Sequence, residues 1–343
     1  MKTKYGSFLK GKMSKGCRLC LKGAKLVLFI TGLCKKNCYF CPVSNERKVD
    51  AIWANERKVR SYEDILEEAR LIDARGTGIT GGEPLLVFNR TLEVINLLKE
   101  NFGKHHIHLY TCGDLLNQRQ AELLADAGLD ELRINAELQG LKSLEWVTEY
   151  LHTGIEIPAI PDKDYSGLIE YLPESNYSFI NINELELSET NAPYLKKYGL
   201  VNDSSNAIKG SFEKAMEIFK NLEGFNIHFC PSFIKDSVQL KNRFLRRAKN
   251  VRKKYEEITE EGLLVKGIIY PKSSKDLKTL KKRLIFEFSI PEDMFHVDES
   301  KERIETSWYI AERLSDLLDC DAAIVKEYPT HDRLEIERIP LPL

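Results

Sequence analysis

Three cysteines lie close together in the segment Thr31-Gly-Leu-Cys-Lys-Lys-Asn-Cys-Tyr-Phe-Cys41. Their spacing allows one loop to bring the thiolates of Cys34, Cys38 and Cys41 around a single soft metal centre. A cubane iron–sulfur cluster normally takes four cysteine ligands, so a cluster held by three leaves one iron open to another ligand. The alternative is a structural zinc loop, with the Cys17-x2-Cys20 pair supplying the ligands that the triplet lacks.

A second candidate motif, Gly81-Gly82-Glu83, follows the next predicted strand along the chain. Glycine has no side chain, so the backbone at this point can come close to a ligand. The carboxylate of Glu83 would favour an ammonium group. Taken alone, the sequence is typical of an ordinary turn. Two such motifs at the ends of consecutive strands indicate a shared binding site.

The two motifs together resemble the signature of the radical S-adenosylmethionine (SAM) superfamily. The resemblance rests on Cys-x3-Cys-x2-Cys after the first strand, on Phe40 just before the last cysteine, and on the Gly-Gly-Glu motif. It implies a [4Fe-4S] cluster whose open iron binds the amino and carboxylate groups of SAM. One electron, from a donor of ferredoxin or flavodoxin type, would split SAM into methionine and a 5′-deoxyadenosyl radical. That radical would abstract hydrogen from a substrate.

The same resemblance assigns further residues to SAM. Gly81, Gly82 and Glu83 would receive its amino group. Arg133 and Asn135, at the end of the fourth predicted strand, would lie near the ribose and carboxylate. Ile157, in the fifth strand, would pack against the adenine. In this family the cofactor supplies the reactivity, and the protein orients and shields it.

Three longer segments resemble an archaeal-type group related to pyruvate formate-lyase activating enzymes. They are Asn183-Glu-Leu-Glu186, His228-Phe-Cys-Pro-Ser232 and the stretch from Glu327 to Glu337. The chain departs from those enzymes by its extra cysteines and by a long basic C-terminal region. These departures argue against a glycyl-radical partner.

Two asparagines of the sixth predicted strand are candidates for the substrate side of the site. Alternation with a period of two places Asn181 and Asn183 on one face. Asparagines that face a barrel interior must be hydrogen-bonded, because burying an unpaired polar group is costly. We predict Asn183 and Glu184 as catalytic residues, and a network that caps a loop is the alternative.

Cys17 and Cys20, just before the first strand, form a second group of possible metal ligands. Cys230, near the end of the predicted barrel, is the candidate third ligand, and Cys112 is the alternative. The prediction is an auxiliary iron–sulfur cluster. A zinc clip or free thiols would explain the same residues without redox chemistry.

The elements that must position these residues alternate between strands and helices, which is typical of parallel βαβ units. The predicted strands are 25–31, 76–80, 106–111, 129–135, 155–160, 177–183 and 225–229; the predicted helices are 62–74, 92–101, 116–127, 143–151, 165–172 and 211–221. In β/α barrels the chemistry gathers at the C-terminal ends of the strands, where both motifs lie.

We therefore predict an α/β fold, a partial (β/α)6-type radical SAM barrel with a smaller C-terminal α+β domain. Residues 1–21 would form an N-terminal segment with Cys-x2-Cys, 22–232 the barrel, and 233–343 a basic accessory domain. Within the last, 235–254 is predicted to be helical, 263–270 and 284–290 to be β-like, and 306–318 to be a helix.

The composition, with 43% apolar and 30% charged residues, excludes a disordered chain. No segment has the length of a membrane span or a signal peptide, so a cytoplasmic protein is expected. The stretch 235–254 holds nine basic residues and one acidic residue. It favours RNA over protein as a substrate, unless it is a solvated helix face. The alternatives are biosynthesis of a small molecule or cofactor, and a non-catalytic metal-binding protein.

Overall fold

A computed structural model describes residues 1–202, 205–271, 277–318 and 320–342. The chain forms two compact units, Met1–Leu240 and Lys241–Leu343. The first unit includes the segment 1–21, whose short strand pairs with the last strand of the main sheet. The boundary between the units falls after Leu240, eight residues beyond the predicted one. No helix among the described residues is long and apolar enough to cross a membrane.

Ten strands of the described residues form the sheet of the first unit. They are β1 Phe8–Lys10, β2 Lys25–Thr31, β3 Trp53–Ala54, β4 Arg57–Lys58, β5 Gly76–Gly81, β6 His106–Thr111, β7 Glu131–Ile134, β8 Thr153–Ala159, β9 Ile180–Glu184 and β10 Ile227–Cys230. The order across the sheet is β1-β10-β9-β8-β7-β6-β5-β2-β3-β4. The seven strands from β2 to β10 in this order are parallel, whereas β1, β3 and β4 pair antiparallel at the edges.

Helices connect the parallel strands of the sheet. They are α2 Tyr62–Leu71, α3 Phe88–Phe102, α4 Gln118–Asp126, α5 Leu138–Leu144, α6 Ser166–Tyr171, α7 Ala192–Leu195 and α8 Ser211–Asn221, with α1 Lys15–Leu21 before the first parallel strand. Capping boxes at Ser61 and Asn117 start α2 and α4, each satisfying two backbone N–H groups that a helix N-terminus leaves unpaired. Apolar residues of these helices and of the parallel strands form one large core.

Helix α1 shows that the sheet is curved. Its Cys17 lies 3.5 Å from Asn181 of β9, and a side chain added at Gly76 of β5 would clash with its Leu19. In a flat sheet β5 and β9 would be about 19 Å apart, yet a seven-residue helix is only about 10 Å long. The strands therefore wrap around α1, which gives the partial barrel that the sequence predicts.

The second unit is built on an antiparallel sheet. Its strands are β11 Glu257–Ile258, β12 Leu264–Tyr270, β13 Phe295–Asp298, β14 Arg303–Thr306, β15 Asp321–Glu327 and β16 Glu335–Leu341. Its helices are α9 Lys241–Val251, which continues from a π-helix at Lys235–Leu240, α10 Leu277–Phe286 and α11 Trp308–Ser315. The β-like segment predicted at 284–290 is wrong over its first residues, because Leu277, Leu280 and Leu284 form the buried face of α10.

Candidate active site

A single cavity of about 1240 Å³ in the first unit is lined by every residue that the sequence proposed for the site. From the cysteine triplet these are Cys34, Cys38 and Cys41; from the SAM prediction Gly81, Gly82, Glu83, Arg133, Asn135 and Ile157; from the catalytic prediction Asn183 and Glu184; and from the second metal prediction Cys17, Cys20 and Cys230. The parallel strands thus bring together residues more than 200 positions apart.

The cysteine triplet lies on the loop that follows β2. Cys34 and Cys38 are exposed and Cys41 is half-buried, and all three are free thiols. Burial raises the pKa of Cys34 and of Cys38, and the negative charge of neighbouring thiolates raises both further. The three thiols lie on one loop at the cavity, and a bound iron centre would offset the negative charge of their thiolates.

The Gly-Gly-Glu turn is fastened to the start of the cysteine loop by backbone hydrogen bonds. The N–H of Gly82 donates to the carbonyl oxygen of Thr31 at 2.8 Å, and the N–H of Glu83 donates to that of Leu33 at 2.7 Å. A Cβ at Gly82 would come within 2.2 Å of the Leu33 oxygen. Glycine is therefore required here, since any side chain would push the two motifs apart.

The carboxylate of Glu83 is buried and turned toward β6. It accepts hydrogen bonds from the Thr111 hydroxyl at 2.7 Å, from the N–H of Cys112 at 2.8 Å and from the N–H of Leu85 at 3.0 Å. Glu83 thus fixes the geometry of the turn through its side chain. The backbone of Gly81 and Gly82, which also lines the cavity, is the part of the motif left for a ligand.

These residues fit a cluster with one open iron. Three free thiols on one loop face a cavity, and a tightly packed glycine turn lies beside them. Within the four described ranges, no three His, Cys, Asp or Glu side chains already converge on one metal ion. A four-iron cluster takes each thiolate on a different iron, so it does not require that convergence.

Arg133, predicted to contact SAM, makes several hydrogen bonds within the protein. Its Nε donates to Glu131, Nη1 donates to Tyr110 and Glu156, and Nη2 donates to Ser14 and Cys17, at 2.7 to 3.3 Å. A guanidinium has five N–H groups, and these contacts use all five. Arg133 therefore belongs to a buried ionic network at the wall of the cavity, and its contact with SAM stays a prediction.

Asn135 and Ile157 lie at the cavity, as their predicted contacts with SAM require. The side chain of Asn135 is exposed to the cavity, while its backbone N–H pairs with Thr111. Ile157 is buried and presents an apolar surface to the same space. Their contacts with SAM stay predictions.

Asn181 and Asn183 share one face, as the alternation predicts. Both side-chain amides donate to the same oxygen of Glu156, at 2.6 and 2.5 Å. Glu184 is buried, and its carboxylate accepts from the backbone N–H of Ser232 at 2.7 Å. Asn183 and Glu184 line the cavity, and their catalytic role stays a prediction.

Sequence reasoning missed Glu156 and Lys25, two charged residues of the cavity. Glu156 joins Arg133 to the asparagines of β9. The buried Nζ of Lys25 lies 3.3 Å from Nε2 of His108. The available signal was a single charged residue inside each of two otherwise apolar strands, β8 and β2.

The structure separates the alternative ligands of the second metal prediction. Cys20 and Cys230 lie near each other, because Gln239 accepts from Cys20 at 2.7 Å and donates to Cys230 at 3.4 Å. Cys17 lies one turn before Cys20 in α1 and lines the same cavity. Cys112 instead lies beside Glu83, and burial together with that carboxylate raises the pKa of its thiol to about 12. Cys230 therefore lies close to Cys20, as its predicted role requires, and the second metal site stays a prediction.

The first unit is a partial β/α barrel in which a three-cysteine loop and a glycine turn meet at one cavity. These features define a class of redox enzymes that act on a bound cofactor. The family model of the radical SAM superfamily matches residues 28–138. A protein of Methanocaldococcus jannaschii, whose name describes a candidate glycyl-radical enzyme activating enzyme, is 40% identical over 356 residues, or 96% of this chain and 93% of the relative. The chain belongs to the radical SAM superfamily and is a radical SAM enzyme.

Other similarities are more distant. An uncharacterised protein of the same archaeon is 24% identical and covers 59% of this chain and 68% of its own length. Streptococcus suis SuiB bound to S-adenosylmethionine has a TM-score of 0.42 at 16% identity over 61% of this chain, and the chain spans 50% of SuiB. The enzyme anSMEcpe with bound AdoMet has a TM-score of 0.39 at 16% identity, covering 58% of this chain and 56% of its own. A domain of unknown function, DUF8061, matches residues 262–341.

Proposed function

We propose that this enzyme removes a hydrogen atom from a polypeptide substrate that enters the 1240 Å³ cavity. The observation that carries the proposal is the convergence of the cysteine loop and the Gly-Gly-Glu turn at that cavity, joined by backbone hydrogen bonds. Support for a polypeptide comes from the name of the 40% identical relative, which describes activation of another enzyme.

Each part of the cavity has its own task in this proposal. Cys34, Cys38 and Cys41 hold a [4Fe-4S] cluster, and an external ferredoxin- or flavodoxin-type protein reduces it. When bound, the cluster and SAM supply a 5′-deoxyadenosyl radical. The backbone of Gly81 and Gly82 orients the cofactor beside the cysteine loop.

Other residues of the cavity would contact the cofactor and the substrate. Asn135 and Ile157 would contact SAM, and Asn183 and Glu184, which line the same cavity, would contact the substrate. The hydrogen bonds of Asn183 to Glu156 and of Glu184 to Ser232 hold these two side chains in fixed positions. Fixed polar groups position a substrate more effectively than mobile ones, because no freedom is lost on binding.

Exposed apolar side chains at the cavity also favour a polypeptide. Leu33 is 42% exposed, Tyr39 40% and Tyr194 54%, and all three line the cavity. The rings of Tyr39 and Tyr194 lie 6.5 Å apart and join the cysteine loop to α7. Aromatic residues are enriched where proteins bind one another.

The basic stretch that favoured RNA is partly used within its own unit. Arg247 is 4% exposed, and its Nε donates to the carbonyl oxygen of Pro329. Lys254 pairs with Asp293 at 2.5 Å. Arg243 and Arg246 also have interactions of their own. The stretch therefore gives weaker support to an RNA substrate than its sequence suggests.

Isotope transfer tests the substrate class. The reduced enzyme is mixed with SAM and with ribonuclease-treated soluble protein from the source organism grown in deuterated medium. We expect deuterium in the 5′-deoxyadenosine, because the radical takes its hydrogen from the labelled polypeptide. Mass spectrometry of the nucleoside measures the transfer.

Protease-treated RNA from the same deuterated cells is the matched control, and we expect it to give unlabelled 5′-deoxyadenosine. Label from the RNA fraction alone would overturn the polypeptide proposal in favour of RNA. Label from neither macromolecule, with label from the small-molecule fraction, would overturn it in favour of a metabolite.

A further inference from the structure

We propose that Cys17, Cys20, Cys230 and His228 ligate a second iron–sulfur cluster, with His228 as the ligand that completes the set. The two cysteines of α1 are three residues apart, so they lie on one face of the helix. His228 and Cys230 are two residues apart in β10, so they lie on one face of the strand. All four side chains line the same cavity.

One ring nitrogen of His228 makes no hydrogen bond among the described residues. His228 is 4% exposed, and the nitrogen without such a partner is Nε2. Its Nδ1 lies 2.6 Å from the side-chain oxygen of Asn181. Since a buried polar atom is normally paired, the bare Nε2 points to a ligand.

The surroundings fix which form of the imidazole is present. The amide nitrogen of Asn181 donates to the carboxylate of Glu156, so the amide oxygen is the atom that faces His228. That oxygen only accepts, so Nδ1 of His228 carries the hydrogen, and in the neutral imidazole Nε2 then carries the lone pair. Metal-binding histidines are commonly held in this way, donating the other ring N–H to an oxygen.

Two buried cations lie beside the cysteines. Arg133 donates to Cys17 at 3.3 Å. Lys25 is buried, and the electrostatic attraction of Cys20 and Cys17 acts on its ammonium group. Among the described residues no carboxylate forms an ion pair with Lys25, and its hydrogen-bonding neighbour is the neutral acceptor His108. A cluster bound by three thiolates is anionic, and these cations would offset its charge.

The side chain that separates Cys20 from Cys230 favours a cluster over a single zinc ion. The side-chain amide of Gln239 now lies between Cys20 and Cys230. Zinc draws all its ligand atoms to about 2.0–2.3 Å from one point, whereas a cluster places each ligand on a different iron and keeps them farther apart. With four protein ligands this centre has no open iron, unlike the centre on the Cys34 loop.

Iron and sulfide counts on the full chain test the inference. The triple variant Cys34→Ala/Cys38→Ala/Cys41→Ala, reconstituted without oxygen, should retain about four iron and four sulfide ions per chain. Adding Cys20→Ser should remove most of them, whereas adding Cys112→Ser should leave the count unchanged. Circular dichroism and gel filtration check that each variant is folded.

A spectroscopic readout makes the role of His228 separately testable. Pulsed electron paramagnetic resonance of the reduced triple variant should detect a strongly coupled histidine nitrogen, and His228→Ala should remove that coupling. Zinc without sulfide in the triple variant, or no bound metal, would overturn the inference. A wild type that cleaves SAM while holding only about four iron ions would overturn this inference alone and leave the proposed function standing.

Discussion

Replacing Cys38 with serine should remove the iron of the first cluster and lower 5′-deoxyadenosine formation from SAM by more than about 100-fold. Removing a residue that only orients a metal ligand typically lowers metal affinity or activity 10–100-fold. Cys38 is proposed as a ligand itself, so its removal should cost more. The serine hydroxyl is a harder donor than a thiolate and suits iron–sulfur clusters poorly. Chromatography of the nucleoside products from protein reduced with dithionite measures the effect.

Cys320→Ser is the matched control, because Cys320 is a half-buried cysteine of the second unit. We expect that variant to keep its iron content and its rate of SAM cleavage. A Cys38→Ser protein that cleaves SAM at the wild-type rate would show that the triplet is not the catalytic centre.

The second prediction with a large expected effect concerns the stability of the first unit. Arg133→Met should destabilise the first unit by about 3–5 kcal/mol, because removing one partner of a buried ion pair leaves an uncompensated charge behind. Arg133 is 2% exposed and Glu131 is 1% exposed, and Glu156 would also lose its cation. Hydrogen exchange of the backbone amides of β7 and β8 in the full chain measures the loss as a lower free energy of opening.

Arg75→Met is the matched control for that substitution. Arg75 lies at the surface, 3.6 Å from Asp73, and both side chains are more than half exposed. Such a surface pair should change the opening free energy by no more than about 0.5 kcal/mol. Equal effects of the two substitutions would show that the buried network contributes nothing special.

The decrease in stability caused by Arg133→Met should depend on pH. Burial raises the pKa of Glu131, but the Arg133 guanidinium outweighs burial, and the net pKa lies below its ordinary value. Glu131 therefore stabilises the wild type above the ordinary carboxyl pKa of about 4.3. Without Arg133 the largest influence that lowers this pKa is lost, so the pKa of Glu131 rises toward the value that burial favours. The stability penalty of the variant then disappears below about pH 4.3. The difference between wild type and variant should thus be large at pH 7 and narrow toward pH 4.

Much of the barrel was predictable because its strands are short, buried and separated by helices with an apolar face. The predicted limits of β2 and β6 match the structure residue for residue, and the helix predicted at 211–221 matches α8. A buried parallel strand carries a continuous apolar run, which is visible without any partner. The motifs could be placed because each follows such a strand.

The short edge elements could not be predicted in the same way. β1 has three residues, and β3 and β4 have two each, too few to show any alternation. The segment 284–290 alternates like a strand, yet its first residues belong to α10, whose apolar face begins at Leu277. There the longer helical period outweighs a local alternating pattern.

The residues of the candidate site could be predicted where they belong to a sequence motif. They could not be predicted where their role depends on hydrogen bonds and ion pairs with other side chains. Arg133 was correctly placed at the cavity, but only the structure shows its five partners. His228 was visible as a polar residue on a strand face, but its free Nε2 depends on Asn181 and Glu156, from two other strands. Contacts between side chains of different strands cannot be predicted from the sequence of one strand.

The electron paramagnetic resonance spectrum of the reduced first cluster, recorded with and without SAM, is the most direct test of a centre with an open iron. The Cys20→Ser variant limits the signal to the cluster on the Cys34, Cys38 and Cys41 loop. We expect SAM to shift the g values, because it binds the iron that the three thiolates leave vacant. A spectrum unchanged by saturating SAM would contradict the account.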